Sequence, residues 1–325
     1  MSDVSKVTQR KGKSNEKPVE KPHENNKEEK GDEKIVPKFG LLPRFPHQRV
    51  WSRLVLVIGI MIYVYYYSTK VKVVTFARQG EILEQRGHNF QCDVDFEEDL
   101  VNFPECTPGA CGRFVSDKIV TSTEAEILLK LAKKGLELGG SDGGASVLDL
   151  HSGALSYGRK FINVYSLEKS DEVFTAPDLT VYKIVKEKIK YAIAQLFDLH
   201  PDFIYLTHPT FFSRLTNAEP KTEHDEYWHT HIDKDTYESF HYTSLLYLND
   251  YNYDFRGGRF VFVDGPFEKR TNVTVEPRKG RVSMFTSGAE NTHFVERVES
   301  GTRYAVTISF TCDITKSIED PVIPD

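Results

Sequence analysis

Three titratable side chains alternate in the segment Tyr227-Trp228-His229-Thr230-His231-Ile232-Asp233. Successive side chains of an extended chain point to opposite faces, so His229, His231 and Asp233 share one face there. Two neutral imidazoles and a carboxylate on one side of a coordination sphere hold a divalent metal and leave its other positions open, as oxygen-activating iron sites require. His231-Ile232-Asp233 supplies two such ligands. A third lies 62 positions on, at His293 in the β-rich run Thr292-His293-Phe294-Val295. Arg303 follows ten residues later in Thr302-Arg303-Tyr304-Ala305-Val306-Thr307-Ile308, where strand alternation can aim a guanidinium inward. A buried guanidinium needs an anion, and a carboxylate accepting two parallel hydrogen bonds is the natural one, so an acidic cosubstrate is implied. The same residues admit a rival chemistry: His229, His231 and Asp233 could hold zinc with an activated water, making a hydrolase in which His293 and Arg303 have no role. Glu223, His224, Asp225 and Glu226 read as solvated loop charges beside this segment.

The elements that must position these residues come in two kinds. Thr123 with Glu126 reads as a capping box, and Ile127, Leu128, Leu131 and Leu138 follow on one face, predicting a helix from about Thr123 to Leu138. Pro177 and Asp178 open a second helix, whose apolar stripe is Val181, Val185, Ile189, Ile193 and Leu196, with Lys183, Lys186, Lys188 and Lys190 mostly on a solvated face. From Phe203 the period shortens to β-rich runs at 203–206, 210–216, 242–248, 259–263, 272–275, 281–285, 293–295 and 303–311. Helices followed by about eight short strands predict an α+β fold with a jelly-roll core backed by those helices.

Composition bounds the rest. In 325 residues, 39 % hydrophobic and 28 % charged, a packed core must form, and the length suits one sizeable domain with accessory segments. A net charge of −6 argues against a general nucleic-acid binder, so no nucleic-acid partner is expected. The charge is uneven: residues 1–50 carry +4 and the remainder −10. Residues 1–49, alternating Lys, Glu, Asn, Ser and Pro with few apolar side chains before Lys38, read as a disordered tail.

Leu54 to Tyr67 is an uncharged run of fourteen residues. That length suits a buried helix as well as a short membrane span, but Trp51, Tyr65, Tyr66 and Tyr67 sit where interfacial anchors would, and Arg53 and Lys70 can snorkel. A single transmembrane helix over residues 50–70 is therefore expected, with a lipid bilayer as partner, a stem over 71–115, a globular domain over 116–313 and a tail over 314–325. Local basic residues balance across the run and give no orientation. The tail's charge, the four cysteines Cys92, Cys106, Cys111 and Cys312 beyond the run, and the Asn272-Val273-Thr274 glycosylation sequon together favour a cytosolic N terminus and a lumenal C-terminal domain, that is, a type II signal-anchor in the endoplasmic reticulum or Golgi. Four cysteines allow three pairings, and spacing does not choose among them.

From residue 116 to 312, and most sharply from 227, the chain resembles the prolyl 4-hydroxylase branch of the Fe(II)- and 2-oxoglutarate-dependent oxygenases. The resemblance rests on His231-x-Asp233, Leu245-Leu246-Tyr247-Leu248-Asn249, the Gly257-Gly258-Arg259-Phe260 turn, distal His293 and Arg303. It implies a double-stranded β-helix in which His231, Asp233 and His293 hold Fe(II), Arg303 binds the distal carboxylate of 2-oxoglutarate and Tyr247 donates a phenol to the same group. It also implies O2 as cosubstrate, ascorbate as a supporting reductant, a protein or peptide substrate hydroxylated on a side chain, and release of succinate and carbon dioxide. Because Asp233 fills the third protein position, hydroxylation rather than halogenation is expected. Many members carry a Tyr about ten residues before the His-x-Asp pair, where this chain has Lys221. An adaptor that has lost catalysis would not require all these positions to be filled.

Overall fold

The computed structural model describes residues 46–68, 71–168, 173–266 and 269–321. The chain divides into a unit ending at Ser68 and a second from Thr69 to Asp325. Most of the expected N-terminal tail lies outside the described residues.

In the first unit, helix α1 (Gln48–Ser68) has no buried residue. Its 21 residues reach about 31 Å, close to the thickness of a bilayer's hydrocarbon core, because the helix continues beyond both ends of the uncharged run. Among the described residues it is the one helix long and apolar enough to cross a membrane, by length and composition.

The second unit begins with strands β1 (Lys72–Ala77) and β2 (Arg86–Phe90), helix α2 (Val94–Leu100) and strand β3 (Cys111–Ser116). Helix α3 (Ser122–Glu137) follows, then the short strands β4 (Gly140–Ser141), β5 (Ala145–Leu148), β6 (Ala154–Gly158) and β7 (Lys160–Asn163), and helix α4 (Ala176–Phe197). Beyond it come β8 (Tyr205–Leu215), the one-turn α5 (Asp233–Thr236), β9 (Tyr242–Tyr247), β10 (Phe255–Gly257) and β11 (Phe260–Asp264). The last strands are β12 (Thr271–Val275), β13 (Val282–Thr286), β14 (His293–Val295), β15 (Val298–Gly301) and β16 (Arg303–Thr311).

A large sheet runs in the order β2-β3-β13-β9-β16-β8-β5-β6-β4, with β7 on β6, and a smaller one in the order β1-β12-β11-β14. Alternation along the central strands sorts side chains into two cores. Leu245, Tyr247, Phe285 and Ala305 of the large sheet meet Ala77, Phe260, Phe262 and Val275 of the small one in one cluster, so the two sheets face each other. On the other side of the large sheet, Leu246, Met284, Val306 and Ile308 pack with Leu128 and Leu131 of α3 and with Val185 and Ile189 of α4. The result is the mixed jelly-roll with helices on one side that the pattern predicts.

Several expectations need correction. Residues 71–115 are not a linker: β1 pairs in parallel with β12, and β2 and β3 extend the large sheet. Of these strands β2 carries no apolar alternation, and β1 and β3 take partners in β12 and β13 far along the chain. The cap of α3 is Thr121 with Glu124, not Thr123 with Glu126, and Glu126 instead pairs with Lys279 at 2.7 Å. Both tetrads fit the capping pattern, and in the earlier one Glu124 Oε2 accepts from the Thr121 N–H at 2.8 Å while its Oε1 holds Lys188 at 2.6 Å. The runs 203–206 and 210–216 are joined in β8. Lys186, expected in solvent, is 7 % exposed and held by Asp320 at 2.5 Å. The C-terminal segment is also docked, with the Ile318 N–H donating to the Leu206 carbonyl. Two disulfides, Cys92–Cys111 and Cys106–Cys312, resolve the pairing that spacing left open.

Candidate metal and carboxylate site

His231, Asp233 and His293 come together at the edge of the small sheet. An isolated antiparallel bridge joins the two histidines: the His231 N–H donates to the His293 carbonyl at 2.9 Å and the His293 N–H returns to the His231 carbonyl at 3.0 Å. That pairing places both imidazoles on one side, with ring centroids 4.4 Å apart. Asp233 starts α5, directly after the extended residue Ile232. Its Oδ1 lies 3.7 Å from His231 Nε2 and 3.6 Å from His293 Nε2, and ligand atoms of all three residues lie within 4.8 Å of one another. Two donors each about 2.1 Å from an ion lie at most about 4.2 Å apart, a limit that both Asp233 separations meet.

The surrounding hydrogen bonds orient each donor. His231 Nδ1 lies 2.9 Å from the His229 carbonyl and His293 Nδ1 lies 2.8 Å from the Asn291 carbonyl. A carbonyl can only accept, so both Nδ1 atoms carry the proton and both Nε2 lone pairs are free for a metal. Asp233 Oδ2 accepts from the Thr243 hydroxyl at 2.7 Å, which leaves Oδ1 to face the imidazoles. Burial lowers the His293 pKa, against the pull of the Asp233 charge, and so favours the neutral ligand form. His293 and Asp233 side chains are 5 % and 10 % exposed while that of His231 is 40 % exposed, so the site opens on the His231 side. Phe260 and Phe285 cover His293 with centroids 4.9 and 5.1 Å away.

Arg303 opens β16 and points into the same core as Ala305 and Tyr247. It is 1 % exposed, and its Nε and Nη2 atoms have no hydrogen-bond partner among the described residues. Those two atoms form the edge that takes a carboxylate side-on. Arg259 uses that edge on Glu296, at 2.7 Å for each bond. In Arg303 it is open, and burial holds its pKa below the ordinary guanidinium value. Gly258, in the left-handed region with φ of 63°, permits its approach: a Cβ there would meet Arg303 Cδ at 3.1 Å. The Tyr247 ring centroid lies 5.6 Å from Arg303 Cζ, and its phenol is bonded to Ser283 Oγ at 3.1 Å. Burial pushes that phenol up to about 12, so it stays a donor. The residues thus fit both a metal and a carboxylate.

His229 does not join the metal cluster. Its side chain is 67 % exposed and turns to Glu226 at 3.1 Å, which removes the zinc hydrolase arrangement. Asp225, expected in solvent, is 1 % exposed and accepts from Ser141 Oγ and the Ala145, Lys221 and Thr222 N–H groups. The motif reading also missed Thr243, Asn291 and Tyr227. Thr243 shares the inward parity of Leu245 and Tyr247, a signal available in the sequence. Tyr227 donates to the Thr216 carbonyl at 3.1 Å and accepts from the Val298 N–H at 3.0 Å. Arg113 is a second incompletely paired guanidinium, 2 % exposed, with Nη2 on Asp264 at 2.6 Å and Phe90 and Phe262 rings 4.4 and 4.3 Å from its Cζ.

Residues 215–311, which carry the His-x-Asp pair, the distal His and the buried arginine with its open edge, match the 2OG-Fe(II) oxygenase superfamily. Over 249 residues the chain is 53 % identical to the mouse 2-oxoglutarate and iron-dependent oxygenase domain-containing protein 3, covering 76 % of this chain and 78 % of the relative. It is 54 % identical over 247 residues to the Xenopus tropicalis protein of that name, covering 75 % and 76 % of the two chains. The chain belongs to this family. A stretch of 72 residues is also 43 % identical to human prolyl 3-hydroxylase 2, covering 22 % of this chain and 10 % of that one.

Proposed function

We propose that the protein is a membrane-anchored, Fe(II)- and 2-oxoglutarate-dependent dioxygenase that hydroxylates a side chain of a protein or peptide. The observation that carries this reading is the open Nε and Nη2 edge of Arg303, buried in the core that the metal ligands border. His231 Nε2, His293 Nε2 and Asp233 Oδ1 would hold the iron. Ferrous iron there supplies the activation of O2 that couples decarboxylation of 2-oxoglutarate to succinate with hydroxylation of a C–H bond. Arg303 fixes the far carboxylate of the cosubstrate, and Tyr247 adds a phenolic donor to it by exchanging its Ser283 partner. Holding both ends of a short molecule fixes its reactive carbon in one place. Leu245, Phe260 and Phe285 keep water from the buried side, and the exposed flank of His231 is left for substrate.

The stretch shared with a prolyl 3-hydroxylase supports a prolyl-type protein substrate. The apolar, fully exposed α1 supports the anchor, and two disulfides in the second unit support its placement in an oxidising lumen of the endoplasmic reticulum or Golgi. Ascorbate is proposed as the reductant that keeps the iron ferrous. The test is anaerobic loading followed by exposure to O2. Wild-type protein should bind one Fe(II), bind 2-oxoglutarate and release succinate faster with proline-containing peptides. Asp233→Ala should lose the metal, whereas binding of stoichiometric zinc without succinate release would defeat the reading.

A further inference from the structure

The metal ligands are held by a segment that the motif does not contain. Helix α2 and its flanks lie between Cys92 and Cys111, which are joined to each other. This disulfide-closed segment touches the immediate neighbours of two ligands. On one side, the Asp99 carboxylate binds Lys234, the residue after Asp233, and accepts from His241 Nε2 at 2.8 Å. Lys234 is fixed further by its N–H on the Ser287 carbonyl at 3.0 Å, and Ser287 Oγ lies 2.9 Å from the Thr243 hydroxyl that bonds Asp233.

On the other side, the Asp93 N–H, next to Cys92, donates to Glu290 Oε2 at 3.3 Å. The Gly112 carbonyl, next to Cys111, accepts from Asn291 Nδ2 at 3.1 Å. Asn291 is the residue whose own carbonyl orients His293. Glu290 is bonded to Thr286, so the turn before His293 is clamped from both ends of the disulfide. Phe96 and Leu100 anchor α2 in the core, each 1 % exposed.

We propose that the disulfide-closed segment Cys92–Cys111 is the positioning element of the metal site, with Asp99 setting the Asp233 turn and the cystine setting the His293 turn through Glu290 and Asn291. The inference rests on the metal assignment above and adds to it that metal affinity depends on a segment more than a hundred residues before the first ligand. Asp99, Glu290 and Asn291 are positioning residues, since none of them supplies a donor to the ion.

The full chain is titrated with Co(II) under nitrogen and followed by its visible absorption, alongside thermal unfolding of the metal-free protein. Asp99→Ala should weaken Co(II) binding about tenfold and change the band shape, as outer partners of metal ligands do. Asp99→Asn, which keeps an oxygen acceptor for Lys234, should restore part of the affinity. Cys92→Ser with Cys111→Ser should weaken binding similarly. Thr121→Ala, which removes the α3 cap, should lower the unfolding temperature and leave affinity and spectrum unchanged, separating positioning from general stability. If the paired serine variant does not fold, Asp99→Ala decides. Binding by Asp99→Ala within twofold of wild type would overturn the inference while leaving the function intact. A wild type that binds no Co(II) or Fe(II) would overturn the functional reading and this one together.

Discussion

Arg281 and Arg303 are both buried, 0 % and 1 % exposed, yet they are solvated in opposite ways. Arg281 uses every donor it has: Nε and Nη2 hold Asp117 side-on at 2.8 and 2.9 Å, and the rest go to the Arg78, Glu276 and Glu81 carbonyls. Arg303 offers the same edge to no acceptor among the described residues. A guanidinium removed from water without an acceptor costs free energy that the protein has no structural reason to bear. The difference teaches how a binding arginine can be told from a structural one: burial is shared, and the unfilled side-on edge is what separates them.

The largest expected effect comes from breaking the satisfied side. Arg281→Met leaves Asp117, with its side chain 6 % exposed, without its counterion and should cost about 3–5 kcal/mol in urea unfolding. The equivalent change at the open side, Arg303→Met, removes a charge that has no partner in the free protein, so stability should match or exceed wild type. Its loss should fall on the ligand instead, with 2-oxoglutarate affinity lower by about 100-fold or more for two charge-assisted hydrogen bonds. Calorimetric titration of both variants checks the pair. The contrast collapses if Arg303→Met is as unstable as Arg281→Met, or if it binds 2-oxoglutarate as well as wild type.

Tyr247→Phe sharpens the same contrast on a smaller scale. Losing one phenolic donor should weaken 2-oxoglutarate about three- to tenfold. Pyruvate has the keto acid end but no distal carboxylate, so its binding should not change between wild type and this variant. An equal loss for pyruvate would place Tyr247 outside the carboxylate site.

His231, Asp233, His293 and Arg303 were candidates in the sequence through the His-x-Asp pattern and the family resemblance, and the fold brings the first three together. Alternation also placed His229 on their face, and it turns away to Glu226. Which arginine lacks an acceptor could not be read. Asp117 and Arg281 are 164 residues apart, and only the fold brings them together. The start of the second unit was hidden for a related reason. Arg86-Gly87-His88-Asn89-Phe90 has no apolar alternation, and it becomes a strand because β3 supplies its partners. Thr121-Glu124 and Thr123-Glu126 both fit the capping pattern, and each glutamate finds a distant lysine, Lys188 or Lys279, that the local pattern does not contain. Local pattern sufficed for the helices and the central strands and failed where a partner distant in sequence decided, as for β2 and for Asp117 with Arg281.

Asp99 stands between the two arginine cases, a carboxylate 35 % exposed with Lys234 and His241 on one side and solvent on the other. The hydrogen bond from His241, then that from Lys234, holds its pKa down to about 2. An unfolded Asp titrates near 3.9, so as the pH falls the unfolded chain takes up the proton first. The stabilisation from this group is therefore complete above about pH 4 and is lost as the pH drops through about 2. Asp99→Asn should flatten the acid limb of the stability curve inside that window and leave its slope above pH 5 unchanged, as read from urea midpoints across pH. The effect should be the smallest of the four because solvent screens a half-exposed pair. Parallel acid limbs for variant and wild type would mean that the Asp99 contacts do not depend on its charge.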